Sequence, residues 1–106
     1  MLEISTGKVV RVIALAREYG PDNRQLRNYV ASLNEDEQVS LVAVTWIGRE
    51  SFDADEAEDA MRTAREEMTP PVDGYLARIP NLADYLEDGM DALGIGVADA
   101  EDHLRD

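Results

Sequence analysis

The chain has 106 residues, 10 basic against 23 acidic, a net charge of −13, and no cysteine. That length predicts a single domain, 1–106, able to bury roughly 65% of its unfolded surface around one core. The missing cysteine excludes disulfides and thiolate metal sites, and the acidity disfavours generic nucleic-acid binding because such a field repels phosphate backbones. The charge is uneven. Residues 1–30 carry +2 and the remainder −15. No apolar run approaches the ~20 residues needed to span a bilayer. Ala14-Leu15-Ala16 mimics a signal-peptidase site, but Arg11 splits the apolar stretch before it and Glu3 stands where a positive charge is needed. A cytoplasmic protein is expected.

The first helix is predicted to start at Ser5 as N-cap, with Ile4 and Val9 as a hydrophobic staple. Val9, Val12, Ile13, Ala16 and Tyr19 recur at helical spacing, and Gly20-Pro21 supplies a stop. The β-branched content of this stretch suits a strand, but apolar residues fall in adjacent pairs rather than alternating. Asp22 is then expected to cap a second helix, with Gln25 at N3 and Leu26, Tyr29, Val30 and Leu33 as its buried stripe.

Asn34 and Glu37 form the next capping box, and Glu35-Asp36-Glu37 suits the positive end of a helix dipole. Behind them Val39, Leu41, Val42, Ala43, Val44, Trp46 and Ile47 are apolar around most of a helix circumference. That pattern predicts the central, most buried helix near Val39–Ile47, closed by Gly48. Phe52 and Asp53 open a fourth helix, with Glu56 at N3, Ala57 as staple partner, and Ala57, Ala60, Met61, Ala64 and Met68 as its inner face. Val72, Tyr75, Leu76 and Ile79 suggest a short helical turn weakened by Gly74. Leu82, Tyr85, Leu86, Met90 and Leu93 trace a last helix stopped by Gly94, before a fraying tail from Val97. The expected fold is all-α: an irregular orthogonal bundle of four main helices plus short helical turns.

Candidate chemistry is sparse. Asp53, Asp55 and Asp59 hint at a calcium loop, but Ala57, Glu58 and Ala64 occupy positions where an EF-hand needs a ligand, a turn glycine and a bidentate glutamate. His103 is the only histidine. It shares a helical face with Asp99 at best, so Ser-His and Cys-His nucleophile schemes have no material. Ser5-Thr6-Gly7-Lys8 lacks the glycine and strand of a phosphate loop, and Gly94-Ile95-Gly96 follows a helix rather than a strand. No catalytic residue, cofactor site or metal site is expected.

Leu33-Asn34-Glu35-Asp36-Glu37-Gln38, running into Leu41-Val42-Ala43-Val44-Thr45-Trp46-Ile47-Gly48-Arg49, together with the segment from Pro80 to Met90, resembles a bacterial family of small acidic proteins, domain of unknown function 3775. The similarity in order and spacing runs from Leu2 to Gly94. Family members carry a longer, variable acidic insertion between the first two helices, where this chain has only Gly20-Pro21-Asp22. The resemblance implies a helical fold and a bacterial, cytoplasmic setting, and it carries over no activity.

Three functions remain to be weighed. Trp46, Arg49 and Phe52, an aromatic pair and an arginine at a helix end, suggest a protein-interaction or self-associating module, because Trp and Arg anchor interfaces. The acids of the fourth and last helices suggest a nucleic-acid mimic that binds a basic protein. Paired carboxylates suggest an enzyme, but 23 acids guarantee accidental pairs. Arg11, Arg24 and Arg27 are expected to face the acidic C-terminal helices rather than nucleic acid.

Overall fold

A computed structural model describes residues 2–67 and 71–95. Among them the chain forms six α-helices: α1 (Thr6–Tyr19), α2 (Arg24–Ser32), α3 (Glu35–Gly48), α4 (Ala57–Glu67), α5 (Val72–Ala77) and α6 (Leu82–Ala92). A single 3-10 turn, Ala54–Glu56, leads into α4. The fold is thus the all-helical bundle expected. None of the described helices is long and apolar enough to cross a membrane. Met68, Asp99, His103 and the tail from Val97 lie outside the described residues.

Ser5 caps α1 as expected, its Oγ accepting the Lys8 N–H at 3.3 Å. Val9, Val10, Val12, Ile13 and Leu15 are buried, whereas Tyr19 is 49% exposed and does not extend the stripe. The last turn of α1 carries its aromatic ring past the packed core. Gly20 ends the helix at φ +81°, donating its N–H to the Ala16 carbonyl at 3.0 Å.

The cap of α2 falls one residue later than the spacing suggests. Asn23, not Asp22, accepts the Leu26 N–H through Oδ1 at 2.7 Å, and its Nδ2 donates to the Gly20 carbonyl at 2.5 Å. Asp22 takes a left-handed φ of 55° and donates its N–H to the Ala77 carbonyl at 2.6 Å. That bond satisfies a carbonyl left open at the end of α5. A distant helix end therefore decides which of two adjacent capping residues caps.

The central helix α3 buries every residue from Val39 to Ile47 and packs against both α6 and α4. Its two buried hydroxyls are satisfied: Ser40 Oγ accepts the Glu3 N–H at 2.8 Å, and Thr45 Oγ1 donates to the Leu41 carbonyl at 2.8 Å. Gly48 does not supply the left-handed stop. It is the last helical residue, and Glu50 takes φ 68°. The Glu50 N–H donates to Ile47 at 3.0 Å and the Ser51 N–H to Trp46 at 2.9 Å, a Schellman closure built on glutamate.

Gly48 serves the α3–α6 crossing instead. A Cβ on it would collide with the Tyr85 carbonyl, and one on Gly89 of α6 would collide with the Val44 carbonyl. Two glycines facing opposite backbones allow the helices to touch main chain to main chain. Beyond them α6 closes as expected, with Gly94 at φ 79° and the Ile95 N–H on the Met90 carbonyl at 2.8 Å.

Candidate functional site

The N-terminal end of α3 is a charged junction. The expected capping box forms: the Glu37 N–H donates to Asn34 Oδ1 at 2.8 Å, and Glu37 Oε1 accepts the Asn34 N–H at 3.0 Å. The other carboxylate oxygen accepts the Lys8 ammonium at 2.5 Å, tying the first turn of α1 to α3. That hydrogen bond, followed by the one from the Asn34 backbone, holds the Glu37 carboxyl below the usual carboxylate range. The same contact raises Lys8. Arg65 of α4 reaches Asp36 and Glu3, each at 2.7 Å, and its pKa rises, chiefly through the Asp36 hydrogen bond. Glu37 is the only buried carboxylate among the described residues, and it is fully engaged in structure. General acid–base chemistry there would have to break the cap.

The opposite end of α3 is different. A cleft of about 250 Å³ opens between the end of α3, the Glu50–Ala54 segment and α6. Ile47, Phe52, Ala54 and Ala92 supply apolar walls, while Glu50 and Asp53 from the connecting segment and Asp88 from α6 bring three exposed carboxylates. Among the described residues these three acids have no ion-pair partner. Elsewhere arginines compensate the acidity: Arg17 pairs with Glu87 at 3.1 Å and Asp84 at 3.6 Å, and Arg62 pairs with Asp59.

The three residues singled out from sequence divide between core and surface. Trp46 is buried, 8% exposed, with its Nε1–H donating to the Tyr75 hydroxyl at 3.0 Å. Its ring stacks on Phe52 at a centroid distance of 5.9 Å and 20° between planes. Phe52 is half-buried and forms a cleft wall resting on that stack. Arg49 is exposed at the rim of α3, where its Nε–H donates to Ser51 Oγ at 3.2 Å. Sequence reasoning missed Glu50 and placed Asp88 only among the outer acids of the last helix. Neither carries a local signal, because what assembles them is the crossing of α3 and α6.

Asp53, Asp55 and Glu56 place carboxylate oxygens within 4.8 Å of one another, all exposed. Glu56 is already used locally, its Oε1 accepting the Asp53 N–H at 2.8 Å at the start of the 3-10 turn. Of the basic residues in the first two helices, Arg27 does face the C-terminal half, 4.0 Å from Asp73 of α5 as well as 3.4 Å from Asp22. Arg11 and Arg24 are exposed and form no ion pair among the described residues.

The helices, the polar-satisfied core and the two capped ends of α3 define, among the described residues, an all-α bundle organised around one buried helix. The chain belongs to the family of proteins of unknown function DUF3775, whose family model matches residues 23–95. The match begins at the true cap of α2, so α1 lies outside it, a narrower span than the resemblance from Leu2 suggests. No curated protein and no solved structure matches the chain.

Proposed function

We propose that the protein is a non-catalytic, cytoplasmic protein-interaction module whose cleft at the end of α3 takes a basic segment of a partner protein. The observation that supports this reading is the cleft's chemistry: apolar walls beneath three carboxylates, Glu50, Asp53 and Asp88, that no arginine or lysine of the described chain neutralises. At about 250 Å³ the cleft falls short of the ~300–1,000 Å³ of small-molecule sites but suits one long cationic side chain. Such a residue lays its methylene stem on an apolar surface and keeps its charged head among acceptors. Phe52 offers the ring face for the stem, and Trp46 braces it from beneath.

The alternatives gain less support. Acid rows imitating phosphates are interrupted, because Asp84, Glu87 and Asp59 are tied to arginines of this chain. An enzyme would need desolvated, unengaged carboxylates, and the cleft acids are exposed.

Binding of labelled arginine- and lysine-rich peptides, followed by fluorescence polarisation at two salt concentrations, tests the reading. Losing two charge contacts in Asp53→Asn/Asp88→Asn is expected to weaken binding by about tenfold or more. Changing Glu66 and Glu67 of α4 to glutamine is expected to leave it nearly unchanged. Equal losses in both variants would reduce the effect to general acidity. Sedimentation showing a dimer abolished by the cleft variant would instead assign the cleft to a second copy of this chain.

A further inference from the structure

The outer side of the α2–α5 pair carries the opposite charge pattern. A surface depression of about 450 Å³ is lined by Asp22, Arg24, Arg27, Asn28 and Asp73. Beside it stands Gly74, buried in α5. A Cβ there would lie 3.3 Å from one guanidinium nitrogen of Arg27 and 3.4 Å from one of Arg78. Two arginines from different helices thus converge on the space that one missing methyl leaves.

Arg24 and Arg27 line the depression, and Arg78 approaches Arg27 beside it over Gly74, in a protein of net charge −13. Their compensation is incomplete. Arg27 has Asp22 at 3.4 Å and Asp73 at 4.0 Å, both at the loose end of ion pairing. Arg24 and Arg78 are exposed and make no hydrogen bond or ion pair among the described residues. Converging like charges repel unless a counter-charge sits between them. The two carboxylates present leave one positive charge over, and their loose distances leave the donors of Arg27 open to a better acceptor.

We propose that the edge of this depression beside Gly74 is an oxyanion site for phosphate or a phosphomonoester, held between Arg27 and Arg78 with Arg24 as the outer contact. Guanidinium forks match the oxygens of phosphate in pairs, which is the geometry two converging arginines offer. A phosphate dianion offers more charge and more acceptor oxygens to the two arginines than a carboxylate does, and this gain must exceed its repulsion by Asp22 and Asp73. Asn28 adds an amide donor at the wall. Gly74 fits the same reading, since alanine is the better helix former but its methyl would fill space between the guanidinium groups and press lightly on Arg27. The site is independent of the acidic cleft and stands or falls without it.

The test is a titration of the 15N-labelled full chain with inorganic phosphate at millimolar concentration and constant ionic strength, with chloride as the matched control. Saturable shifts of the amides from Arg24 to Asn28 and from Asp73 to Arg78 are expected. Arg78→Gln, at an exposed position, is expected to weaken the phosphate affinity by about tenfold. Gly74→Ala is expected to weaken it as well while leaving thermal stability equal or higher, a combination that structural damage would not produce. Phosphate-specific shifts that survive both substitutions would overturn the proposal, as would shifts no different from chloride. The same titration with O-phosphoserine separates a site for free phosphate from one that takes an esterified group.

Discussion

Replacing Gly89 with alanine sets two effects of opposite sign against each other. Alanine is favoured over glycine by about 1 kcal/mol inside a helix. Gly89, however, lies buried where α6 crosses α3, and a Cβ there would stand 2.9 Å from Val44 Cγ1 and 3.1 Å from the Val44 carbonyl carbon, pressing onto the carbonyl oxygen. Carbon–carbon contacts are optimal at about 3.5–4.0 Å, so α3 and α6 must separate by roughly 1 Å, and a gap of that size forfeits a quarter to a half of each contact. The seam includes Leu82, Leu86 and Met90, all essentially fully buried. Overpacking of this kind costs about 1–3 kcal/mol, and here the obstacle is backbone, which cannot rotate away as a side chain can. Setting about 3 kcal/mol of loss plus weakened seam contacts against the propensity gain predicts a net destabilisation of about 2–3 kcal/mol. A shift of at least ~10 °C in Tm follows for a domain of this size. Urea denaturation read by the fluorescence of Trp46, the only tryptophan, measures it directly. Gly7, on the exposed side of α1 with nothing within 4 Å of its Cβ position, is the control, and its alanine variant is expected to gain up to about 1 kcal/mol. Equal stabilisation of both variants would refute the close-approach argument.

Three further outcomes are expected. Asn23→Ala removes the cap of α2 and costs about 1 kcal/mol by urea denaturation, more than Asp22→Ala, reversing the order that the capping-box spacing alone implies. Glu50→Gly relieves the left-handed conformation at the end of α3 and raises stability by about 0.5–1 kcal/mol, as read from the denaturation midpoint. Glu37 is held below its ordinary pKa by Lys8 and then by Asn34, so its contribution is present above the unfolded value and lost as pH falls below the ordinary carboxylate value of 4.5 and through the folded one. Lys8, raised by the same bond, contributes below its unfolded value and loses that contribution as pH climbs above the ordinary lysine value of 10.5 and through the folded one. Denaturation midpoints from pH 7 down to pH 3 are therefore expected to fall more steeply for the native chain than for Glu37→Gln, and parallel curves would contradict the pairing.

The cleft and the anion site differ in how far they could be read ahead of the structure. Phe52 and Trp46 stand out in the sequence as the large aromatics at a helix end, and their stacking follows from that proximity. Glu50, Asp53 and Asp88 are three acids among 23 until α6 is laid across α3. Gly74 reads as a weak point in a short helix. Only the approach of Arg27 from α2 shows what its missing Cβ leaves room for.

The sequence by itself determined the helical class and most helix ends. Hydrophobic spacing of three and four residues, the Ser5 and Asn34 caps, the Asp53–Glu56 pair and the stops at Gly20 and Gly94 all act between residues no more than about five positions apart, so they are complete in the chain as written. Tertiary structure decided the rest. Asp22 lost its cap to Asn23 because its N–H met a carbonyl of α5, Gly48 gave its stop to Glu50 because α6 needed the space, and Lys8 joined the Glu37 capping box from 29 residues away. Each of these outcomes depends on a partner that only packing brings within hydrogen-bonding or van der Waals range.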